Sequence, residues 1–129
     1  MSTPAQDIRL ILEGASSLGL SFGTDLFVGL MPDSPDECVS IIDTPGTEPG
    51  VGPYYYSSVQ VLVRGGVGEY GSAAALGRDI AAVLHEYTGE PDSSTLYYAG
   101  IWQLSEPFFI GVDEKNRSLF STNYRIQRR

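Results

Sequence analysis

Two stretches of the chain repeat apolar residues at the spacing of an amphipathic helix. The first repeat runs through Ile8, Ile11, Leu12, Ala15 and Leu18. Just before it, Thr3 suits a helix N-cap, Pro4 suits the first helical position and Gln6 completes a capping box. Gly19 is a residue type at which helices commonly end. The pattern therefore predicts a first helix from residue 4 to the approach of Gly19.

The second helical repeat lies between about Glu69 and Thr88. Its apolar positions are Ala73, Leu76, Ile80, Leu84 and Tyr87. Its polar side consists of Arg78, Asp79, His85 and Glu86. Gly89 suits a C-cap, and Pro91 blocks any extension of the helix. A second helix of about this span is predicted.

Period-two patterns and short apolar runs predict the strands. They cover residues 26–31, 38–42, 58–64 and 95–104, and the two runs of a hairpin between Pro107 and Ile126. The last run alternates most clearly, with Phe120, Thr122, Tyr124 and Ile126 on one face and Ser121, Asn123, Arg125 and Gln127 on the other. In the third strand Val59, Val61 and Val63 likewise share a face.

The resulting order is α-β-β-β-α-β-β-β, which predicts an α+β fold with a mostly antiparallel sheet packed by two helices. The first two strands are expected to pair in antiparallel fashion, across the turn that holds Pro32 and Pro35. The length, 129 residues, suits one domain covering residues 1–129.

A long segment without a regular pattern runs from Asp43 to about Ser58 and ends in three adjacent tyrosines. Irregular stretches of this length are usually functional or disordered. Tyr54, Tyr55 and Tyr56 have two interpretations. They start the next strand, or they belong to an interface, where tyrosine is enriched. Since neighbouring strand residues point to opposite faces, the three cannot all face one core.

Charge and cysteine content narrow the class of protein. The net charge is −8 and the isoelectric point is near 4.4. This argues against wrapping DNA or docking on anionic lipid, because both need local positive charge. The basic residues Arg125, Arg128 and Arg129 crowd the C-terminus, as a solvated tail or as a contact for an acidic neighbouring subunit. With one cysteine, no secretory signal and no long apolar run, the chain is expected to be cytosolic or to assemble there, without a membrane partner.

One motif suggests nucleotide binding. The residues from Gly66 to Gly71 read G-x-G-x-x-G and lie between a strand and a helix, where a pyrophosphate is bound in dinucleotide folds. Glu69, however, puts negative charge at the helix start. The next acidic residue after a strand, Glu106, comes far beyond the roughly twenty residues that the fingerprint requires. Glycines that turn a strand tightly into a helix are the ordinary explanation of such a motif.

No residue pattern predicts catalysis, a cofactor or a bound metal. His85 is the only histidine, which argues against a histidine-based metal site. Cys38 lies among apolar strand residues and is interpreted as a core residue, although a thiol dyad with His85 is conceivable. Asp33, Asp36 and Glu37 fit turn and cap positions better than a loose cation site. The protein is expected not to be an enzyme.

Several stretches together resemble the tail terminator (minor capsid) proteins of long-tailed bacteriophages. They are the turn Met31-Pro32-Asp33-Ser34-Pro35-Asp36, the step Ile42-Asp43-Thr44-Pro45-Gly46, the strand Val59-Gln60-Val61-Leu62-Val63-Arg64-Gly65 before an alanine-rich helix, and the hairpin from Pro107 through Arg117 to Ile126. The resemblance covers about residues 26–127, and the order and spacing of the stretches carry it.

The resemblance implies a structural virion protein located at the tail and neck. Proteins of this kind form a ring, typically sixfold, at the head-proximal end of the tail tube, where they end tube growth and join the head connector. The implied partners are other copies of the chain, the tail tube protein and the neck protein, while DNA passes through the lumen without specific binding. Tyr54, Tyr55, Tyr56, Arg125, Arg128 and Arg129 are the expected contact residues. Another head–tail joining component and a small nucleotide-binding module remain the alternatives.

Overall fold

The computed structural model describes residues 2–46, 54–92 and 95–129. The elements are α1 (Pro4–Gly14), β1 (Leu26–Val28), β2 (Cys38–Thr44), β3 (Tyr55–Val67), α2 (Tyr70–Leu84), β4 (Tyr98–Gln103), β5 (Phe108–Val112) and β6 (Arg117–Arg128). The predicted α+β class and element order are confirmed. Neither helix in this part of the chain has the length and apolar character needed to cross a membrane.

The strands in the described residues form one sheet with the order β1-β2-β3-β6-β4, and β5 pairs with β6 beside β4. The central pair, β3 and β6, runs antiparallel from Tyr55 opposite Arg128 to Val67 opposite Arg117. Both strands are long because inward-facing and outward-facing residues alternate along each of them and no proline interrupts their hydrogen bonds. All other pairs are antiparallel except β1 with β2.

The parallel pairing of β1 and β2 corrects the antiparallel pairing expected from the sequence. Leu26 lies opposite Val39 and Val28 opposite Ile41. The connection between the strands is not a hairpin turn, because Arg64 draws it back along the sheet. The Arg64 guanidinium donates hydrogen bonds of 2.6 to 2.8 Å to the carbonyl oxygens of Pro32, Pro35 and Asp36. The chain therefore returns to the start of β1 before β2 begins.

Both helices end earlier than predicted. The capping box at Thr3 and Gln6 forms as expected, but α1 ends at Gly14, and Gly19 lies in a later turn. Helix α2 ends at Leu84 rather than near Thr88. The helix ends there because the chain beyond it pairs with the sheet: the Glu86 N–H donates a hydrogen bond of 2.7 Å to the carbonyl oxygen of Ile101 in β4. Gly89 is therefore not a C-cap.

The hydrophobic core lies between the two helices and one face of the sheet. The predicted inward faces of β3 and β6 are confirmed. Their buried residues are Val59, Val61, Val63, Phe120, Thr122, Tyr124 and Ile126. Cys38 is also buried, as predicted. The irregular segment is shorter than expected, because β2 runs to Thr44 and β3 starts at Tyr55. Residues 47–53 of that segment lie outside the described residues.

A polar cluster inside the domain ties the N-terminus to the last strand. The Asp7 carboxylate is fully buried and accepts hydrogen bonds from the Tyr98 hydroxyl at 2.6 Å and from Arg128 at 3.1 Å. Arg128 also donates to the Ser2 carbonyl oxygen at 2.9 Å. Burial, reinforced by the hydrogen bond to Asp7, strongly raises the pKa of Tyr98. The expected solvated tail is therefore wrong for Arg128, which is a buried residue of the fold.

Candidate assembly surface

The sheet face opposite the core carries aromatic rings and arginines where β3 starts and β6 ends. The strand register places Trp102 opposite Arg125. Tyr97 and Arg129 exchange two backbone hydrogen bonds, of 2.9 and 3.0 Å. These side chains share one face because, along each strand, they alternate with the residues that point into the core. We call this set the aromatic–arginine surface; it consists of Tyr54, Tyr56, Tyr97, Trp102, Arg125 and Arg129.

The arginines of this surface lie over aromatic rings. The Arg129 guanidinium carbon is 5.1 Å from the centre of the Tyr97 ring and 5.9 Å from that of Tyr54, and Arg125 is 5.9 Å from the Trp102 ring. These distances allow cation–π attraction. Neither arginine forms an ion pair with a carboxylate of the described residues. Within the described part of the chain, their contacts are thus with aromatic rings rather than with carboxylates.

A cavity of about 320 Å³ lies within this surface, lined by Tyr56, Trp102, Arg125, Ile126 and Gln127. The Trp102 ring lies directly on Gly100. A Cβ atom at residue 100 would lie 2.4 Å from two ring carbons of Trp102, so only glycine permits this ring position. The cavity is accordingly formed by a ring held against the backbone.

The structure brings together some of the contact residues expected from the sequence and separates others. Tyr54, Tyr56, Arg125 and Arg129 belong to the aromatic–arginine surface. Tyr55 points to the other face of the sheet, the one that the helices cover, and is 48% exposed. Sequence reasoning missed Tyr97 and Trp102, although the alternation of aromatic and small residues over residues 95–104 signals them.

The residues considered for catalysis do not meet. Cys38 is on β2 and His85 is beside β4, and strands β3 and β6 lie between them. At about 4.8 Å per strand this puts them roughly 14 Å apart or more, so a thiol dyad does not form. The His85 Nδ1 instead accepts a hydrogen bond from the Gln103 N–H at 3.0 Å.

Asp33 and Asp36 are held by arginine rather than arranged around a cation site. Each forms a 3.1 Å ion pair with the buried Arg117 guanidinium. A hydrogen bond from Lys115 lowers the pKa of Asp33, and a hydrogen bond from the Arg117 backbone N–H lowers that of Asp113. No group of three or more potential metal ligands occurs in the described ranges. These carboxylates hold the turn that contains Pro32 and Pro35 against the hairpin formed by β5 and β6.

The glycine motif forms a tight junction between β3 and α2. Gly68 has a φ of +75°, and Glu69 is the N-cap of α2. The Glu69 carboxylate accepts a hydrogen bond from the Ser72 hydroxyl at 3.1 Å, so a negative charge stands at the helix start. This charge opposes the binding of a phosphate there.

The fold and its exposed features define a small α+β protein whose most distinctive exposed chemistry is the aromatic–arginine surface. A family model described as "Bacteriophage tail terminator protein" matches residues 15–129, and the chain belongs to this family. It is thus a structural protein of the bacteriophage tail, and the resemblance inferred from the sequence is confirmed.

The fold is also similar to a solved structure. A chain in a structure titled "Virion of native gene transfer agent (GTA) particle" matches with a TM-score of 0.70. The two chains are 14% identical, and the match covers 98% of each. At this identity the similarity concerns the fold. A search of curated proteins found no match.

Proposed function

We propose that six copies of this protein form a ring on the head-proximal end of the tail tube. The ring ends tube growth and offers its other side to the head connector. The observation that carries this proposal is the family match over residues 15–129. The work is mechanical and needs no catalytic residues. Assembly takes place in the host cytoplasm, and the protein remains in the virion at the neck.

The aromatic–arginine surface supports contact between copies. Tyrosine, tryptophan and arginine are the residues most enriched at interface hot spots. Tyr54, Tyr56, Arg125 and Arg129 are the proposed contacts, with Tyr55 at the adjoining edge. Arg128 is left out, because its guanidinium is buried against Asp7. Contacts between unlike patches of identical copies close into a ring when the rotation permits.

The acidic balance of the chain supports a role for the ring as a passage for DNA. A net charge of −8 per copy repels the phosphate backbone, so DNA passes without being bound. An electron microscopy map of the ring tests this, because the carboxylates must line the lumen. Carboxylates confined to the outer rim would contradict it.

The oligomeric state is the first measurement. Light scattering over a wide range of concentrations, followed by electron microscopy, is expected to show a closed ring. If the protein alone is monomeric, the measurement moves to purified tail tubes, on whose ends the ring should form. Absence of the protein from tube ends would contradict the proposal.

Two variants test the contact residues. Tyr55→Asp and Arg125→Glu are expected to leave the monomer folded and to weaken assembly, because Arg125→Glu puts a negative charge into the contact and Tyr55→Asp puts one at its adjoining edge. Arg78→Glu, at an exposed position of α2, is the matched control for the charge reversal. Loss of folding in Tyr55→Asp would assign Tyr55 to the core instead.

A further inference from the structure

Strand β5 presents a continuous run of apolar side chains to solvent. Phe108, Phe109, Ile110 and Val112 are between 44 and 54% exposed. Tyr70, at the start of α2, adds a further exposed ring, 5.2 Å from that of Phe109. By the strand register Phe109 and Val112 lie on the helix-covered face of the sheet and Phe108 on the other, so β5 exposes apolar side chains on both faces. Clustered exposed apolar side chains mark interaction sites on proteins.

Among the described residues the outer backbone edge of β5 has no partner strand, whereas the outer edges of β4 and β1 are partly covered. Beside β4, Gly89 and Tyr98 exchange hydrogen bonds of 2.7 and 2.9 Å, and Glu86 donates to Ile101. Strand β1 has three residues, and its Leu26 oxygen accepts from Gly23. Among the described residues, β5 pairs only with β6. An open edge of apolar residues favours association with another chain.

The strand is held in place before any partner binds. The Phe109 ring packs against Phe120 at 5.6 Å between ring centres, and Tyr70 packs against both. A bulge between Phe109 and Gly111 leaves Ile110 outside the regular register. Because the ring cluster fixes the strand, docking on it costs little conformational entropy.

Charge identifies the partner surface. Five carboxylates lie around β5: Asp33, Asp36 and Asp113 are paired with Lys115 and Arg117, whereas Glu106, near Arg78, and Glu114 form no ion pair with the described residues. Arg125 and Arg129 of the aromatic–arginine surface likewise form no ion pair within the described part of the chain. The two surfaces lie toward opposite ends of β6, since Val112 pairs with Ser118 and Trp102 with Arg125. At about 3.3 Å per residue, the separation along β6 from Trp102 runs from roughly 13 Å for Phe108, opposite Ser121, to roughly 23 Å for Val112.

We propose that β5 of one copy docks on the aromatic–arginine surface of the next copy. The apolar side chains of β5 cover the aromatic rings, and the arginines face Glu106, Glu114 and the open carbonyl groups of β5. Two different surfaces, toward opposite ends of one strand, join identical subunits head to tail, which is the arrangement that closes into rings. This inference rests on the proposed ring and adds the contact that builds it.

A charge on β5 tests the contact. Ile110→Glu is expected to raise the concentration needed for half-assembly by at least about tenfold, the equivalent of about 1.4 kcal/mol. Leu30→Glu is the matched control, because Leu30 is 56% exposed near the opposite edge of the sheet. Light scattering measures both, and circular dichroism checks that each variant is folded. Assembly of Ile110→Glu at the wild-type concentration would overturn the proposal.

Cross-linking identifies the partner surface. Copies carrying Ile110→Cys are mixed with copies carrying Gln127→Cys and treated with a short bis-maleimide; the native Cys38 is buried. Adducts between the two variants are expected to predominate. Adducts between two Ile110→Cys copies would overturn the proposal in favour of a twofold contact. An assembled ring without mixed adducts would also overturn it.

The outcomes separate this contact from the ring itself. If the wild type forms no ring, alone or on purified tail tubes, the proposed function fails and the β5 contact fails with it. If Ile110→Glu forms rings and no longer binds tubes, the ring stands. The occupant of β5 is then the tube protein, and the inference is wrong.

Discussion

At the scale of single residues, buried polar groups hold the two ends of the chain together. Asp7 accepts hydrogen bonds from Tyr98 and Arg128 within the core, where water cannot replace a lost partner. Removing one member of a buried ion pair leaves the other charge without compensation. Exposed pairs contribute far less, because solvent screens them.

Asp7→Ala is therefore expected to lower the free energy of unfolding by about 3–5 kcal/mol. Arg9→Gln, which breaks the partly exposed pair with Glu13 on the same helix, is the control and should cost about 1 kcal/mol or less. Urea denaturation measures both. Equal costs for the two variants would show that the buried cluster contributes no more than a surface pair.

The carboxylate of Asp113, in the turn between β5 and β6, makes the stability of the fold depend on pH. Because the pKa of Asp113 is lowered in the folded state, its contribution to stability is present above the unfolded pKa of about 3.9 and is lost as the pH falls through the lower folded value. Asp113→Asn should therefore be less stable than the wild type at neutral pH, with a difference that narrows in acid. Glu114→Gln, which removes the charge of the neighbouring exposed residue, is the control. A difference that is constant with pH would contradict this account.

At the scale of elements, the β3–α2 junction depends on close backbone approach. A Cβ atom on Gly65 would lie 2.8 Å from the Glu69 carbonyl oxygen and 2.9 Å from the Ala73 Cβ. Gly71, one residue into α2, has open space around it. The glycine that packing requires is thus Gly65, which precedes the G-x-G-x-x-G motif.

Gly65→Ala is expected to destabilise the protein by about 1–3 kcal/mol, because backbone atoms must move to admit the methyl group. Gly71→Ala should instead stabilise it by up to about 1 kcal/mol, since alanine is the better helix former. Thermal or chemical unfolding compares the pair. The account is wrong if Gly65→Ala proves as stable as the wild type.

Local patterns predicted those elements whose causes are local. The capping box at Thr3 and the alternation in β3 and β6 depend on neighbouring residues, and the structure has them. The parallel β1–β2 pair depends on Arg64, which contacts a loop some thirty positions earlier in the chain. The end of α2 depends on Ile101 in β4. Likewise Tyr97 and Trp102 join Arg125 only through the β4–β6 register, which the sequence does not display.

At the scale of the whole molecule, the outer edges of β4 and β1 are partly covered, whereas β5 pairs only with β6 among the described residues and lies away from the aromatic–arginine surface. In the proposed assembly the next copy covers the open edge of β5, so that this edge no longer pairs at random.

The nucleotide alternative is tested on the whole protein. Adding NAD or ATP is expected to leave the melting temperature unchanged, because Glu69 opposes a phosphate at the start of α2. A ligand that binds the folded state at 100 times its dissociation constant adds about 2.7 kcal/mol, which a thermal scan detects readily. A rise in melting temperature with either nucleotide that is larger in Glu69→Ala would reopen that alternative.

Trp102 is the only tryptophan of the chain, and it lies on Gly100 within the aromatic–arginine surface. The protein consequently carries an intrinsic fluorophore at the place where copies are proposed to meet. Its emission wavelength reports the local polarity without any added label. Assembly can therefore be followed in real time, from the free subunit to the finished ring, in the unmodified chain.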